Sequence, residues 1–182
     1  MPPAHTDPDA AANASASEQA AAPLGRLEVI CGPMFTGKTT ELIRRLERAG
    51  AQGCHVLAVK PAIDTRYHET ALSTHDARYL DAVTIHGPAE LLELNEESRG
   101  VGGLGAGHAD VLGLDEAHFF REGLHDAVMT ILARGTRVII AGLDRTSMNE
   151  PFGEMARLLI EADEVTKLAG HCAVCGPSLI PH

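Results

Sequence analysis

The chain has 182 residues and a formal net charge of −10, with 25 acidic and 15 basic side chains. A chain of this length can bury one full core. Its acidic balance argues against a general nucleic-acid binder, which needs a basic surface to neutralise phosphates. There is no run of about 18 apolar residues, so no membrane span is expected. With four cysteines and no apolar signal segment, we expect a cytoplasmic location.

Residues 1–24 differ in composition from the rest of the chain. They are rich in Ala, Pro and small polar side chains and contain no Arg or Lys. Such a stretch buries too little surface to offset its ordering entropy. We therefore predict a disordered tail over 1–24 and a working domain that begins at Gly25.

Apolar runs alternate with helical patterns through most of the remaining chain. The runs are near-continuously apolar, which is typical of parallel strands covered by helices on both faces. The pattern predicts an α/β domain with a P-loop NTPase-like, mostly parallel sheet. Strands are expected at 27–31, 55–59, 110–114 and 136–141. Helices are expected from Lys38, at 89–94, 124–132 and 154–161, with Gly50 and Gly135 as left-handed C-caps of the first and third.

Two stretches break this alternation. Residues 61–85 are polar and rich in His, Asp and Thr, so we expect a hairpin or loop beside the sheet. Residues 98–108 contain five glycines but no lysine. We interpret them as a surface loop rather than a second phosphate cradle.

The strongest motif is a P-loop that follows the first apolar run. Gly32 and Gly37 let the backbone wrap around a phosphate, so that successive N–H groups point at it. Lys38 is placed to reach the β- and γ-phosphates, and the Thr39 hydroxyl to ligate Mg²⁺. The predicted cofactors are ATP and Mg²⁺. The residues assigned to them are Gly32, Pro33, Met34, Phe35, Thr36, Gly37, Lys38 and Thr39.

A second acidic motif follows another buried strand. Asp115 and Glu116 come directly after an apolar run that ends at Leu114. Asp115 would hold Mg²⁺ through a water, as in other P-loop enzymes. Glu116 is a candidate general base for an attacking hydroxyl. The alternative is that both acids only cap the following helix.

Near the C-terminus, Cys172 and Cys175 form a Cys-x-x-Cys turn followed by Gly176. This is half of a tetrahedral zinc site. His171, His182 or a partner chain would have to supply the other ligands. Binding of Zn²⁺ and a vestigial pair remain open as alternatives.

Taken together, the motifs resemble the cytosolic-type thymidine kinases, which carry a zinc-bearing second lobe. The first is Gly-Pro-Met-Phe-Thr-Gly-Lys-Thr-Thr-Glu-Leu, which is similar to that family's P-loop. The acidic motif is Asp-Glu-Ala-His-Phe-Phe, where the family usually has Gln in place of His118. The matching segments, in chain order, are 32–42, 60–67, 74–76, 115–120, 141–144, 150–153 and 165–168, followed by the cysteine pair.

The resemblance implies transfer of the ATP γ-phosphate to the 5′-hydroxyl of thymidine, a step of deoxynucleoside salvage. It makes Glu116 the base, with Asp64 and Arg66 flanking the acceptor end. It also assigns Asp115, Ala117 and His118 to the nucleotide, and it implies a homotetramer. The nucleoside pocket implied by the resemblance consists of Met34, Phe119, Leu143 and Phe152.

Two departures from the family pattern lie on the acceptor side. Ser147 stands where the family has an aromatic side chain, and the sequence ends at His182 before the lasso and second cysteine pair of the family. We therefore expect a P-loop domain over 25–162, a shortened zinc and lasso lobe over 163–182, and weakened nucleoside binding. The alternative function is that of a degenerate relative which binds ATP without phosphorylating nucleosides.

Overall fold

The computed structural model describes residues 25–62, 71–73, 79–97, 109–120 and 122–170. The predictions for the tail at 1–24, the glycine-rich stretch at 98–108 and the cysteine pair at 172 and 175 lie outside these residues.

A six-stranded sheet forms the centre of the fold, and every neighbouring pair of its strands is parallel. The expected α/β class with a mostly parallel sheet is confirmed. The strand order across the sheet is β5-β2-β6-β7-β1-β8. The strands are β1 (Leu27–Cys31), β2 (Val56–Pro61), β5 (Val83–Ile85), β6 (Val111–Leu114), β7 (Arg137–Gly142) and β8 (Glu164–Lys167).

Helices cover both faces of this sheet, because successive strand residues point to opposite sides. On one face, Ile30 and Ile139 pack with Leu42 and Leu46 of the first helix. On the other face, Val29 joins a larger cluster with side chains of the remaining helices. The helices are α1 (Lys38–Ala51), α2 (Pro88–Glu97), α3 (Leu124–Ala133) and α4 (Met155–Glu161).

The two predicted C-caps have different outcomes. Gly135 follows α3 at φ 89° and its N–H donates to the Leu132 carbonyl, so this prediction is confirmed. The prediction for Gly50 is wrong, since α1 continues to Ala51. Gly53, at φ 87°, takes the left-handed conformation instead. The first residue with positive φ after α1 therefore lies about one turn further along the chain than predicted.

The polar stretch 61–85 divides into two parts. Strands β3 (Ala71–Ser73) and β4 (Tyr79–Asp81) form an antiparallel pair outside the main sheet, as expected for a hairpin. Strand β5 was not predicted, yet it pairs with β2 and forms one edge of the main sheet. Three residues are too few for a hydrophobic period to be visible in the sequence.

Strand β8 forms the opposite edge of the sheet and was also not predicted. Its residues alternate between half-buried and exposed, because successive side chains of a strand point to opposite faces of the sheet. The N–H of Leu168 continues the pairing by donating to the carbonyl of Cys31 at 2.8 Å. Residues 164–167 are therefore part of the nucleotide-binding sheet, beyond the boundary expected at 162.

Candidate active site

Four loops meet at the carboxyl edge of the sheet. Because all six strands are parallel, the P-loop after β1, Asp115 after β6, Leu143 after β7 and Leu168 after β8 emerge on the same side. Ligands of open α/β sheets bind at this edge. The structure thus brings the P-loop and the acidic motif at Asp115 to the same edge. The strands that precede them, β1 and β6, are separated by β7.

The P-loop backbone has the curvature expected of a phosphate cradle. Gly32, Phe35 and Gly37 all have positive φ, at 136°, 62° and 83°. The Thr36 hydroxyl donates to the carbonyl of Pro33 at 2.9 Å and closes the turn. Helix α1 starts at Lys38, directly after Gly37. The N–H groups and the positive dipole end of its first turn therefore face the loop.

Gly32 is also the point where β8 touches the P-loop. A Cβ at this position would lie against the carbonyl oxygen of Leu168, which is backbone and cannot turn aside. The positive φ at Gly32 adds strain for any L side chain. We expect Gly32→Ala to lower the free energy of unfolding by about 1–3 kcal/mol and to weaken ATP binding at least about tenfold.

This prediction is checked by urea unfolding together with fluorescence titration of a labelled ATP analogue. Gly87→Ala is the control, because its added Cβ meets nothing within 4 Å. Equal effects of the two substitutions would show that the contact with β8 has no consequence.

Lys38 lies at the centre of the charges in the site. Its side chain is buried, and its ammonium donates to the Pro33 carbonyl at 2.5 Å. Burial lowers the pKa of Lys38, while the charges of Glu116, Asp115 and Asp144 oppose that shift. A buried cation among carboxylates, folded against the P-loop, is suited to bind an anionic phosphate chain.

Asp115 and Thr39 form an oxygen pair beside this lysine. The Thr39 hydroxyl donates to Oδ2 of Asp115 at 2.9 Å, and the backbone N–H of Glu116 donates to Oδ1 at 3.0 Å. Burial raises the pKa of Asp115, because its carboxylate is removed from water. A nearby divalent cation would compensate that charge, and hydroxyl and carboxylate oxygens are the ligands Mg²⁺ prefers. The residues present therefore fit the predicted metal.

Glu116 has a backbone conformation that is uncommon for a side chain of its size. Its φ and ψ are 50° and 37°, in the left-handed region. Its side chain is 39% exposed, whereas neighbouring Asp115 is buried. Non-glycine residues in this region carry strain and are concentrated at functional sites. The alternative that both acids only cap a helix is not supported, because neither side chain caps the 3₁₀ turn Ala117–Phe119 that follows.

The predicted nucleoside pocket is partly assembled around His118. The His118 ring contacts the rings of Phe119 and Phe152, with centroid distances of 4.3 and 4.6 Å. The backbone N–H of Leu143 donates to Nδ1 of His118 at 3.1 Å. Three of the four predicted pocket residues therefore meet at one imidazole. The fourth, Met34, lies on the P-loop with 62% of its surface exposed.

Comparison with known proteins decides the family of the chain. A family model described as thymidine kinase matches residues 25–179. The chain belongs to the thymidine kinase family. A thymidine kinase of Bacteroides thetaiotaomicron is 45% identical over 152 residues, which cover 84% of this chain and 71% of the relative. Thymidine kinases of Coprothermobacter proteolyticus and Deinococcus radiodurans are each 43% identical to this chain. Each match spans 84% of this chain, and the two matches span 71% and 72% of the respective relatives.

Membership of the thymidine kinase family supports thymidine kinase function and the predicted enzyme class, a nucleoside kinase. The family uses ATP with Mg²⁺, in agreement with the fit of Lys38, Thr39 and Asp115. None of the helices in the described residues has the length and apolar composition needed to cross a bilayer. Within those same residues, no cluster of three His, Cys, Asp or Glu side chains could hold a metal ion.

One charged residue at the carboxyl edge of the sheet was not predicted from the sequence. Lys167 of β8 forms an ion pair with Asp144 at 3.0 Å. Burial opposes ionisation of Asp144, but the hydrogen bond from Lys167, a backbone hydrogen bond and the charges of Lys167 and Arg145 together lower the pKa of this carboxyl. Both residues lie in segments that match the family pattern, 165–168 and 141–144, but no strand was predicted at 164–167 and no role was assigned to Lys167.

Four predicted site residues of the thymidine kinase family lie outside the described residues. They are Asp64, Arg66, Cys172 and Cys175. Ser147, where the family has an aromatic residue, is exposed in the turn between Arg145 and Pro151.

Proposed function

We propose that this chain transfers the γ-phosphate of ATP to the 5′-hydroxyl of thymidine, in the salvage of DNA precursors. One observation carries the proposal beyond family membership. Glu116, a half-exposed carboxylate, stands next to the Thr39–Asp115 pair and contributes to the field at Lys38. A protein that only binds ATP has no evident use for a carboxylate in that position.

On the donor side, the P-loop amides and Lys38 bind the β- and γ-phosphates, and Ala117 and His118 border the nucleotide. Thr39 and Asp115 would hold Mg²⁺. When bound, this ion would neutralise charge on the phosphates. Catalysis of phosphoryl transfer is mainly positioning and charge stabilisation, which the buried Lys38 ammonium provides without further rearrangement.

On the acceptor side, Glu116 accepts the proton of the thymidine 5′-hydroxyl as the phosphoryl group is transferred. Asp64 and Arg66 flank this hydroxyl, as the family resemblance implies. Met34, Phe119, Leu143 and Phe152 line the nucleoside pocket. Contacts of His118 with the last three support the proposal that they form one wall.

The finer features of the chain are also proposals. We infer that it acts in the cytoplasm, as a homotetramer, on a small-molecule nucleoside substrate. Residues 25–162 with β8 form the nucleotide-binding domain, and the cysteine pair at 172 and 175 offers two thiolates to Zn²⁺. Metal analysis of the purified chain and of Cys175→Ser tests the last point.

The proposed function is tested by incubating the chain with γ-labelled ATP, Mg²⁺ and thymidine, and separating labelled thymidine phosphate. We expect Lys38→Met to lower kcat/KM for ATP by about 10²–10³-fold, because the phosphates lose a preorganised cation. The matched control is Arg48→Met, which removes an exposed cation from the last turn of the same helix.

Wild-type chain that binds ATP but forms no thymidine phosphate would favour the degenerate, ATP-binding alternative. Equal activity of the Lys38 and Arg48 variants would contradict the assigned role of the P-loop lysine.

A further inference from the structure

His118 is a buried polar side chain with contacts on every side. It is 2% exposed and lies in the 3₁₀ turn Ala117–Phe119, directly after the loop that carries Glu116. A buried imidazole without partners would cost free energy, so its two ring nitrogens need hydrogen-bonding groups. The groups that surround them define the protonation state of the ring.

The Nδ1 atom must act as an acceptor. The backbone N–H of Leu143 points at it from 3.1 Å, and an N–H donor requires a lone pair on its partner. In a neutral imidazole the proton then resides on Nε2. Burial, helped by the charge of Lys38, lowers the pKa of His118 to about 4, which agrees with a neutral ring near pH 7.

The protonated nitrogen faces the proposed base. Nε2 of His118 lies 3.5 Å from Oε2 of Glu116. This distance is longer than an ordinary hydrogen bond by a few tenths of an ångström. Catalytic hydrogen bonds are often long before substrate binds and shorten in the reactive complex. Because the donor is neutral, it orients the carboxylate without the strong charge pairing that would make Glu116 a weaker base.

The same ring also touches the nucleoside pocket. It lies against Phe119 at an interplanar angle of 35° and meets Phe152 edge-on at 66°. A displacement of these walls is therefore transmitted to the nitrogen that faces Glu116. This link connects the residues that hold the nucleoside base to the carboxylate that takes the 5′-hydroxyl proton.

We propose that His118 is a positioning residue which holds the Glu116 carboxylate through Nε2–H while Leu143 fixes its tautomer. The proposal rests on the proposed function for the role of Glu116. His118 itself is not the base, because its Nδ1 lone pair is occupied and its Nε2 already carries a proton. The competing interpretation is a core histidine that only fills space.

Two substitutions of His118 distinguish the roles of its two ring nitrogens. In His118→Asn the amide oxygen takes the position of Nδ1 and can accept from Leu143, but no donor reaches Glu116. In His118→Gln the amide nitrogen takes the position of Nε2 and can donate to Glu116. A space-filling role predicts no advantage of Gln over Asn once both variants are folded.

We expect His118→Asn to lower kcat by about 10–100-fold, since a misplaced catalytic group costs about that much. His118→Gln should recover most of this loss. In a Glu116→Gln background, His118→Asn should have no further effect on kcat, because the two residues act as one unit. Thermal unfolding of each variant verifies folding. Equal kcat values for Asn and Gln, or an undiminished effect in the Glu116→Gln background, would overturn the proposal.

A spectroscopic readout keeps this test separate from that of the proposed function. In a ¹⁵N-histidine sample, the His118 signals, assigned with His118→Gln, should show the Nε2–H tautomer near pH 7. Glu116→Gln should shift the Nε2 resonance. If wild-type chain makes no thymidine phosphate, the proposed function fails while these signals still report on the His118–Glu116 contact. An Nδ1–H tautomer, or an Nε2 signal indifferent to Glu116→Gln, refutes the inference in either case.

Discussion

Glu116→Gln should lower kcat for thymidine phosphorylation by about 10²–10⁴-fold while leaving ATP binding intact. The amide cannot accept the 5′-hydroxyl proton, although it occupies nearly the same volume as the carboxylate. ATP binding is expected to be retained, because the hydrogen bond from Glu116 to Asp115 is donated by the backbone N–H, which the substitution does not change. The left-handed backbone at Glu116 does not change in this substitution, so its strain is the same in both proteins.

The measurement is a steady-state assay with thymidine, combined with titration of an ATP analogue. Glu93→Gln serves as the control, because Glu93 is an exposed carboxylate on α2. It removes one negative charge without touching the carboxyl edge of the sheet. Loss of ATP affinity in parallel with kcat would mean that Glu116 acts on the nucleotide and not on the acceptor.

The second large effect is expected at Glu28, a charged residue near the start of β1. Glu28 is 3% exposed. Its carboxylate forms ion pairs with the guanidinium groups of Arg45 and Arg137, each at 2.6 Å. Arg45 is itself nearly buried and also donates to Thr166 of β8. Without Glu28, Arg45 keeps ion pairs with Glu41 at 2.8 Å and Glu164 at 3.2 Å but loses its most buried partner. Removing one side of a buried ion pair is strongly destabilising. Glu28→Gln should therefore lower the free energy of unfolding by about 3 kcal/mol.

Urea unfolding at neutral pH measures this loss, and Glu164→Gln is the matched control. Glu164 lies in the same cluster, 2.7 Å from Arg26, but is 42% exposed. Exposed pairs contribute about 0–1 kcal/mol, so its loss should be small. Adding Arg45→Met to Glu28→Gln should recover part of the stability, because the nearly buried guanidinium that loses Glu28 and keeps the more exposed Glu41 and Glu164 as ion-pair partners is then removed. If Glu28→Gln and Glu164→Gln lower the free energy of unfolding equally, then the burial of Glu28 does not determine how much its ion pairs contribute to stability.

The sequence predicts those parts of the fold and site that depend on local order. A strand, a glycine turn and a helix N-terminus follow one another from Leu27 to Ala51, so the P-loop and the direction of Lys38 are implied by adjacency alone. The same holds for Asp115 and Glu116 after β6. What adjacency cannot give is the order of strands, which depends on pairing between residues far apart in the chain.

Three features depend on such distant contacts. Strands β5 and β8 are short edge strands whose sequences carry no clear period. The tautomer of His118 depends on Leu143, 25 residues away. Glu28 does leave a visible signal, a charged residue within an otherwise apolar strand. The apolar run 27–31 predicts a strand but no partner for Glu28, since Arg45 and Arg137 lie on other elements.

The junction of β8 with the P-loop has a mechanical consequence. Leu168 is hydrogen-bonded to Cys31, and its carbonyl lies against Gly32, while Lys167 holds Asp144. Tension applied to the chain after residue 168 would load the β1–β8 hydrogen bonds in shear and act on the strand that ends in the phosphate loop. In a force experiment, pulling from this point would report on bound ATP, because the attachment point follows β8 and the phosphate loop follows β1, and these two strands are hydrogen-bonded to each other.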